Sequence, residues 1–220
     1  IKRGRIIEIC NALVKERLNI KWFCDSRADL VDEEMLRLMR KAGCIGISYG
    51  IESGSPKILN AMNKGITIEQ AKKSLLMTRK AKIPFQLNLI IGYMGEDKQT
   101  LQENELLIRK VLPDTLQVTK MMALEGTEFM NLARKQRWVK DSLDWKTRLK
   151  EHRLKLQNYP PFELKLYDAQ IKYQKFLYYN PKWWMVTLRT LIYNPVLIIP
   201  TIMIFLRMIK SRRFLSGIIT

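Results

Sequence analysis

Glu52 stands in "GISYGIESGS", Gly46 to Ser55, where a compact apolar run gives way to Gly50, Ser53, Gly54 and Ser55. A carboxylate at the end of a buried strand is costly unless something binds it. There it can accept hydrogen bonds from paired hydroxyls or an amine, and the glycines around it let a ligand approach the backbone. The plainer alternative is a turn in which Glu52 is salt-bridged or solvated. Three more polar or glycine-rich segments directly follow apolar runs: Asp25-Ser26-Arg27, Gly92 to Glu96, and Met122 to Thr127. If those runs are parallel strands, all four segments lie at strand carboxyl ends, where α/β folds bind their ligands.

The elements that must carry these segments alternate along the chain. Apolar residues from Ile6 to Leu18 recur at helical spacing. "NIKWFC", Asn19 to Cys24, reads as a strand, and Asp32 caps a helix that Ala42-Gly43 stops. The run around Ile47 is the next strand. Ser55-Pro56 opens a short helix to Met62, and Thr67 caps a longer one through about Lys82. "PFQLNLIIG", Pro84 to Gly92, is a strand with Phe85, Leu87, Leu89 and Ile91 on one face. A helix over Gln99–Val111, a strand over Asp114–Met122 and a helix after Gly126 complete the pattern. Strand and helix alternating at roughly 35-residue spacing predict successive βαβ units and a parallel sheet. About four units are half of an eight-fold barrel, which needs about 250 residues. The leading helix has no strand before it, and the expectation is that its strand lies upstream of Ile1.

Taken in order, "AGCIGISYGIESGS", "KGIT" and "IIGYMGED" resemble the second part of a radical S-adenosylmethionine (SAM) barrel. The flavour is that of the subgroup with an N-terminal cobalamin-binding domain. The likeness runs from about Ile6 to Ala133 and more loosely to about Pro181. It implies an α/β fold, a partial TIM-type (β/α) barrel over residues 1–137, followed by a helical basic and aromatic extension over 138–220. It also implies an enzyme that makes an adenosyl radical for C–H modification, such as methylation or cyclisation, of a hydrophobic small-molecule or lipid-like substrate. By the resemblance, Gly50, Glu52 and Ser53 meet the ribose or methionyl part of SAM. Gly92, Gly95 and Glu96 form the loop that helps hold the adenosyl group, and the backbone at Met121 and Met122 meets the adenine. Arg27 faces the same mouth, toward the SAM carboxylate or the substrate. Met94 stands where the family has proline, and Glu125-Gly126-Thr127 where it has Pro-Gly-Thr, which softens both turns. The CxxxCxxC motif that ligates a 4Fe–4S cluster does not occur among these residues. The resemblance places it upstream, so this chain is expected to be an inactive fragment holding no catalytic or metal-ligating residue of its own. Cobalamin is the further cofactor that the subgroup suggests.

Composition bounds the partners. Lys plus Arg number 39 against 21 Asp plus Glu, a net charge of +18, which favours anionic partners. Cys10, Cys24 and Cys44 lie 14 and 20 residues apart, matching neither a disulfide framework nor a zinc site. They read as core residues of a protein from a reducing cytoplasm. His152, in "LKEHRLK", reads as a solvated helix residue, and Asp32-Glu33-Glu34 as a helix N-terminal cluster. Val196 to Leu206 is apolar but short and flanked by prolines, too short for a transmembrane span. Trp183, Trp184 and Tyr193 before it and Arg207, Lys210, Arg212 and Arg213 after it describe a segment on an anionic membrane surface; the alternative is a hydrophobic helix docking on the barrel or on an absent cobalamin domain. Two rival readings stand beside the enzyme: a non-catalytic membrane-surface protein on a degenerate half barrel, and an RNA-modifying methylthiotransferase. The helical, apolar C-terminus makes nucleic acid the poorer partner.

Overall fold

Local signals place nearly every boundary. In the computed structural model, which describes residues 2–124, 126–138, 166–199 and 202–203, the order opens α1 (Arg3–Lys15), β1 (Trp22–Ser26), α2 (Glu33–Lys41) and β2 (Cys44–Glu52). It continues with α3 (Pro56–Ala61), α4 (Ile68–Lys80), β3 (Phe85–Ile91), α5 (Lys98–Val111), β4 (Thr115–Lys120) and α6 (Glu128–Lys135). Asp32 caps α2 by accepting from Met35 N, and Thr67 with Gln70 closes a capping box on α4. Asp97 and Thr100 do the same on α5. The first strand begins at Trp22, three residues later than the apolar pattern suggested. Its parallel partner β2 starts at Cys44, opposite Trp22, so Asn19–Lys21 have no ladder to join.

The four strands form one parallel sheet in the order β1-β2-β3-β4. As predicted, Phe85, Leu87, Leu89 and Ile91 are buried on one face, and with Ile47, Tyr49 and Ile51 they build the main core. Tyr49 carries its hydroxyl into that core and pairs it with Thr78 Oγ1 at 2.7 Å. The other face is polar. Asn88 donates to Ser48 Oγ, and Gln86 donates to Asn88 Oδ1 and to Gln117 Oε1.

Helices of the extension close two open sides. In α7 (Leu166–Tyr179), Gln170 donates to Val118 O on the outer edge of β4, and Tyr173 donates to Leu101 O on α5. The following helix, α8 (Pro181–Tyr193), crosses the N-terminal ends of the strands. Trp183 Nε1 donates to Pro113 O, and Thr190 donates to Asp114 Oδ1, whose other oxygen accepts from Phe85 N. Arg40, at the end of α2, reaches Asn194 Oδ1 and Tyr193 O. Leu166, Tyr173, Leu177 and Trp183 thus share a core with the sheet. Glu125, His152 and the cationic run from Arg207 lie outside the described residues, as do five of the eleven residues of the apolar segment from Val196 to Leu206.

Candidate functional site

Every predicted site residue lies at the carboxyl end of the sheet, in strand order: Arg27 beyond β1, Gly50 to Ser53 at the end of β2, Gly92 to Glu96 beyond β3, Met121 and Met122 beyond β4. They do different things there.

Glu52 is the conformational exception. Six described non-glycine residues have positive φ, and five of them, Arg17, Asn63, Lys82, Leu112 and Arg137, terminate helices, where a left-handed residue is the ordinary cap. Glu52 instead sits at a strand end with φ of 74°. A left-handed L-residue costs about 1–2 kcal/mol, and such an outlier is a sound starting point for a functional reading. The ladder to β3 slips one residue between Gly50 and Glu52, and the carboxylate folds back over Gly50. A Cβ on Gly50 would come within 2.5 Å of Glu52 Oε1, so a side chain there would push the carboxylate aside. Lys64 Nζ pairs with Oε1 at 3.0 Å, both side chains being about one-fifth exposed. Arg27 joins the same group: it forks onto Asp29 at 3.0 Å and donates to Lys64 O at 3.2 Å. That fork holds the Asp29 carboxyl below the usual carboxylate range. A cavity of about 520 Å³ opens here, lined by Asp25, Arg27, Ser48, Gly50, Lys64 and Asn88 among others.

Ser53 and Glu96 face inward. Ser53 is fully buried; its hydroxyl donates to Asn104 Oδ1 and accepts from Ser55 N. Asn104, on α5, also accepts from Gly54 N. Gly54 lies so close to α5 that a Cβ would meet Glu103 O at 2.6 Å. Glu96 accepts from Gly92 N and closes its own turn, with Gly92 and Gly95 at φ of 85° and 83°. Burial pushes the Glu96 carboxyl up to about 7, and the Gly92 amide pulls it partly back. Its second oxygen, Oε1, and the Asn104 amide Nδ2 are buried without a hydrogen-bond partner. Met121 anchors its strand end through N–H donation to Ile91 O, and its side chain packs against the small cluster of Ala123, Phe129, Met130 and Ala133.

Sequence reasoning missed two contributors. Lys64 was visible in "NKGIT", but as a motif letter and not as the partner of Glu52. Asn104 falls on the buried stripe Thr100, Asn104, Ile108, Val111 of α5, a polar residue at a core position, and that was its signal.

The cysteines fit no cluster. Cys10 and Cys44 are buried, and all three thiols are free. A hydrogen-bonded Cys24 neighbour and burial keep the Cys44 thiol protonated, above the ordinary thiol range, whereas a cluster binds thiolates. Among the described residues, no group of three His, Cys, Asp or Glu could hold a metal ion.

With this geometry in hand, comparison with known proteins is direct. Residues 3–108 match the model of the radical SAM superfamily. This part of the chain is similar to radical SAM domains. An anaerobic magnesium-protoporphyrin IX monomethyl ester cyclase of Rubrivivax gelatinosus is 35% identical over 116 residues, 52% of this chain and 21% of that protein. A probable threonylcarbamoyladenosine tRNA methylthiotransferase of Pyrococcus abyssi is 29% identical over 49% of the chain and 25% of its own length. The chain thus spans between a fifth and a quarter of these radical SAM relatives. The solved structure of the cobalamin-dependent SAM radical enzyme OxsB, with aqua-cobalamin bound, superposes with a TM-score of 0.58 at 19% identity. That alignment covers 70% of this chain and 29% of OxsB, and shows a shared fold. The parallel sheet and its helices have the α/β arrangement of part of a (β/α) barrel. The cofactors of this superfamily are SAM and a 4Fe–4S cluster.

Proposed function

We propose that the chain is the SAM-holding C-terminal part of a radical SAM barrel, residues 1–137, carrying a helical extension from 138, in a cytoplasmic enzyme that modifies C–H bonds. The carrying observation is Glu52: a strained backbone at a strand's carboxyl end aims a half-buried carboxylate into the mouth. Glu52 would accept hydrogen bonds from the ribose hydroxyls or the methionyl amine, with Lys64 fixing its orientation. Gly50 makes room, Asn104 and Ser53 hold the loop, and Glu96 shapes the turn from Gly92. Backbone groups at Met121 and Met122 are suited to the adenine edge, and the exposed side of the Arg27 guanidinium to a carboxylate. In the superfamily bound SAM supplies adenosyl-radical hydrogen abstraction, which needs a 4Fe–4S cluster. Among the described residues no group fits as a set of cluster ligands, and the sequence holds no CxxxCxxC, so the ligands would come from outside these 220 residues. Cobalamin enters by likeness to the subgroup alone.

The polar inner face bears on the substrate. Packed TIM interiors are filled with branched apolar side chains. Here Ser48, Asn88, Gln86 and Gln117 form a hydrogen-bonded row beside the exposed Phe23, a wall suited to a small molecule with both polar edges and apolar surface. A tRNA substrate is the second reading, supported by the net charge of +18 and the match to a probable tRNA methylthiotransferase.

Calorimetric titration of SAM into the intact protein tests the proposal. Saturable binding is expected, weakened about tenfold or more in Glu52→Ala, the worth of one hydrogen bond to a charged group. Equal affinity in the variant would remove Glu52 from the site.

A further inference from the structure

We propose that the outer side of α8 and the residues after it form a docking surface for an anionic lipid bilayer, at the end of the barrel opposite the mouth. Trp183, Thr190 and Asn194 point into the barrel floor, against Pro113, Asp114 and Arg40. The opposite side of the same helix is apolar and open to solvent. Met185, Leu188 and Ile192 are 65%, 62% and 67% exposed, at helical spacing, and Val196 and Ile199 continue the strip at 55% and 73%. Soluble surfaces scatter such residues singly; a contiguous strip marks an interaction site.

Cations surround the strip for a reason built into the fold. In a parallel sheet with crossover helices, every helix ends at the floor, and helix C-termini favour Lys and Arg. The last turns of α1, α2, α4 and α5 are basic, and several of these cations have protein partners: Arg40 holds Asn194, and Arg79 holds Val111 O and Leu112 O. Lys15, Arg17, Lys21, Lys41 and Lys110 are exposed there, with Glu16 as an acidic neighbour. Lys82 and Arg189 both stack on Tyr193, with their charges 4.4 Å and 5.7 Å from the ring centre. A cavity of about 540 Å³ joins Arg17, Lys21 and Lys41 to Tyr193 and Val196.

This combination selects the occupant. A second copy would meet the patch with the same patch, cation against cation. Nucleic acid would use the charges and leave the apolar strip wet. An anionic bilayer satisfies both, apolar residues entering the acyl boundary and cations meeting headgroups. No helix among the described residues is long and apolar enough to cross a membrane, and the proposed contact is with the bilayer surface. It also turns the mouth away from the lipid, so the substrate would reach the site from the aqueous side.

Co-sedimentation of the intact protein with phosphatidylcholine vesicles, with and without phosphatidylglycerol, is the test. Binding is expected on the anionic vesicles alone and should weaken with salt. The double change Leu188→Asp and Ile192→Asp removes two exposed side chains from the bilayer and should weaken binding about a hundredfold, at about 1.5 kcal/mol each. Thermal unfolding of the double variant should match the wild type, because neither side chain is buried. Failure to bind anionic vesicles would overturn the proposal. So would equal binding by the double variant, a dimer in sedimentation equilibrium that the same changes dissociate, or capture of tRNA in place of vesicles.

Discussion

At the level of single residues, two carboxylates at the carboxyl end of the sheet carry different costs. Glu52 is held by Lys64 and keeps its backbone left-handed, so its cost is conformational. Changing it to Gly or to Ala removes the same carboxylate, but only Gly accepts that φ without strain. Denaturant titration should find Glu52→Gly more stable than Glu52→Ala by about 1 kcal/mol; equal stabilities would mean that the strain is absent. Glu96 pays its cost in desolvation. Its carboxyl is raised to about 7 when folded from an ordinary 4.5, so the folded state holds a proton that the unfolded chain releases. Its contribution to stability is therefore complete below about pH 4.5 and lost as pH rises through about 7, a swing of about 3 kcal/mol. Thermal unfolding across that window should show stability falling with pH. In Glu96→Gln the fall should shrink, and at pH 8 the variant should be the more stable protein, provided the amide oxygen still accepts from Gly92 N.

Between elements, the connection that matters joins α5 to the loop after β2. Asn104 accepts from Gly54 N and Ser53 Oγ at a fully buried position, and helix and loop approach closely because residue 54 is glycine. Asn104→Ala would leave two buried donors unpaired and should cost about 2 kcal/mol or more. It should also weaken SAM binding although Asn104 lies beneath the mouth; unaltered affinity would show that the loop holds its shape without this tie. The Thr67 cap of α4 was legible in the sequence because it is a contact over three residues. The Asn104 tie was not, because it spans about 50 residues and depends on which helix packs behind which strand.

For the whole molecule, the extension is as much a part of the fold as the strands. Trp183 is 4% exposed and fills the floor beneath β4, outside the region that matches the family. Trp183→Ala should cost about 3–5 kcal/mol and lower a single cooperative unfolding transition. Two separated transitions would instead mean that the helices from Leu166 onward fold as a unit of their own. The floor also holds a buried carboxyl: burial raises Asp114, and Thr190, Phe85 N and the neighbouring Arg79 pull it back.

The alternation of elements, their caps, the buried face of β3 and the glycine-flanked carboxylate at the end of β2 are determined by the sequence alone. These features repeat with the short periods of helix and strand or follow from side chains within one turn of each other. Tertiary structure decided the rest. It supplied Lys64 as the partner of Glu52, 12 residues on, and the left-handed backbone that a slipped parallel register imposes. It turned Ser53 and Glu96 away from the mouth, and laid α8 across the floor with its apolar side outward. Each depends on which distant segment packs alongside, and local spacing carries no record of that choice.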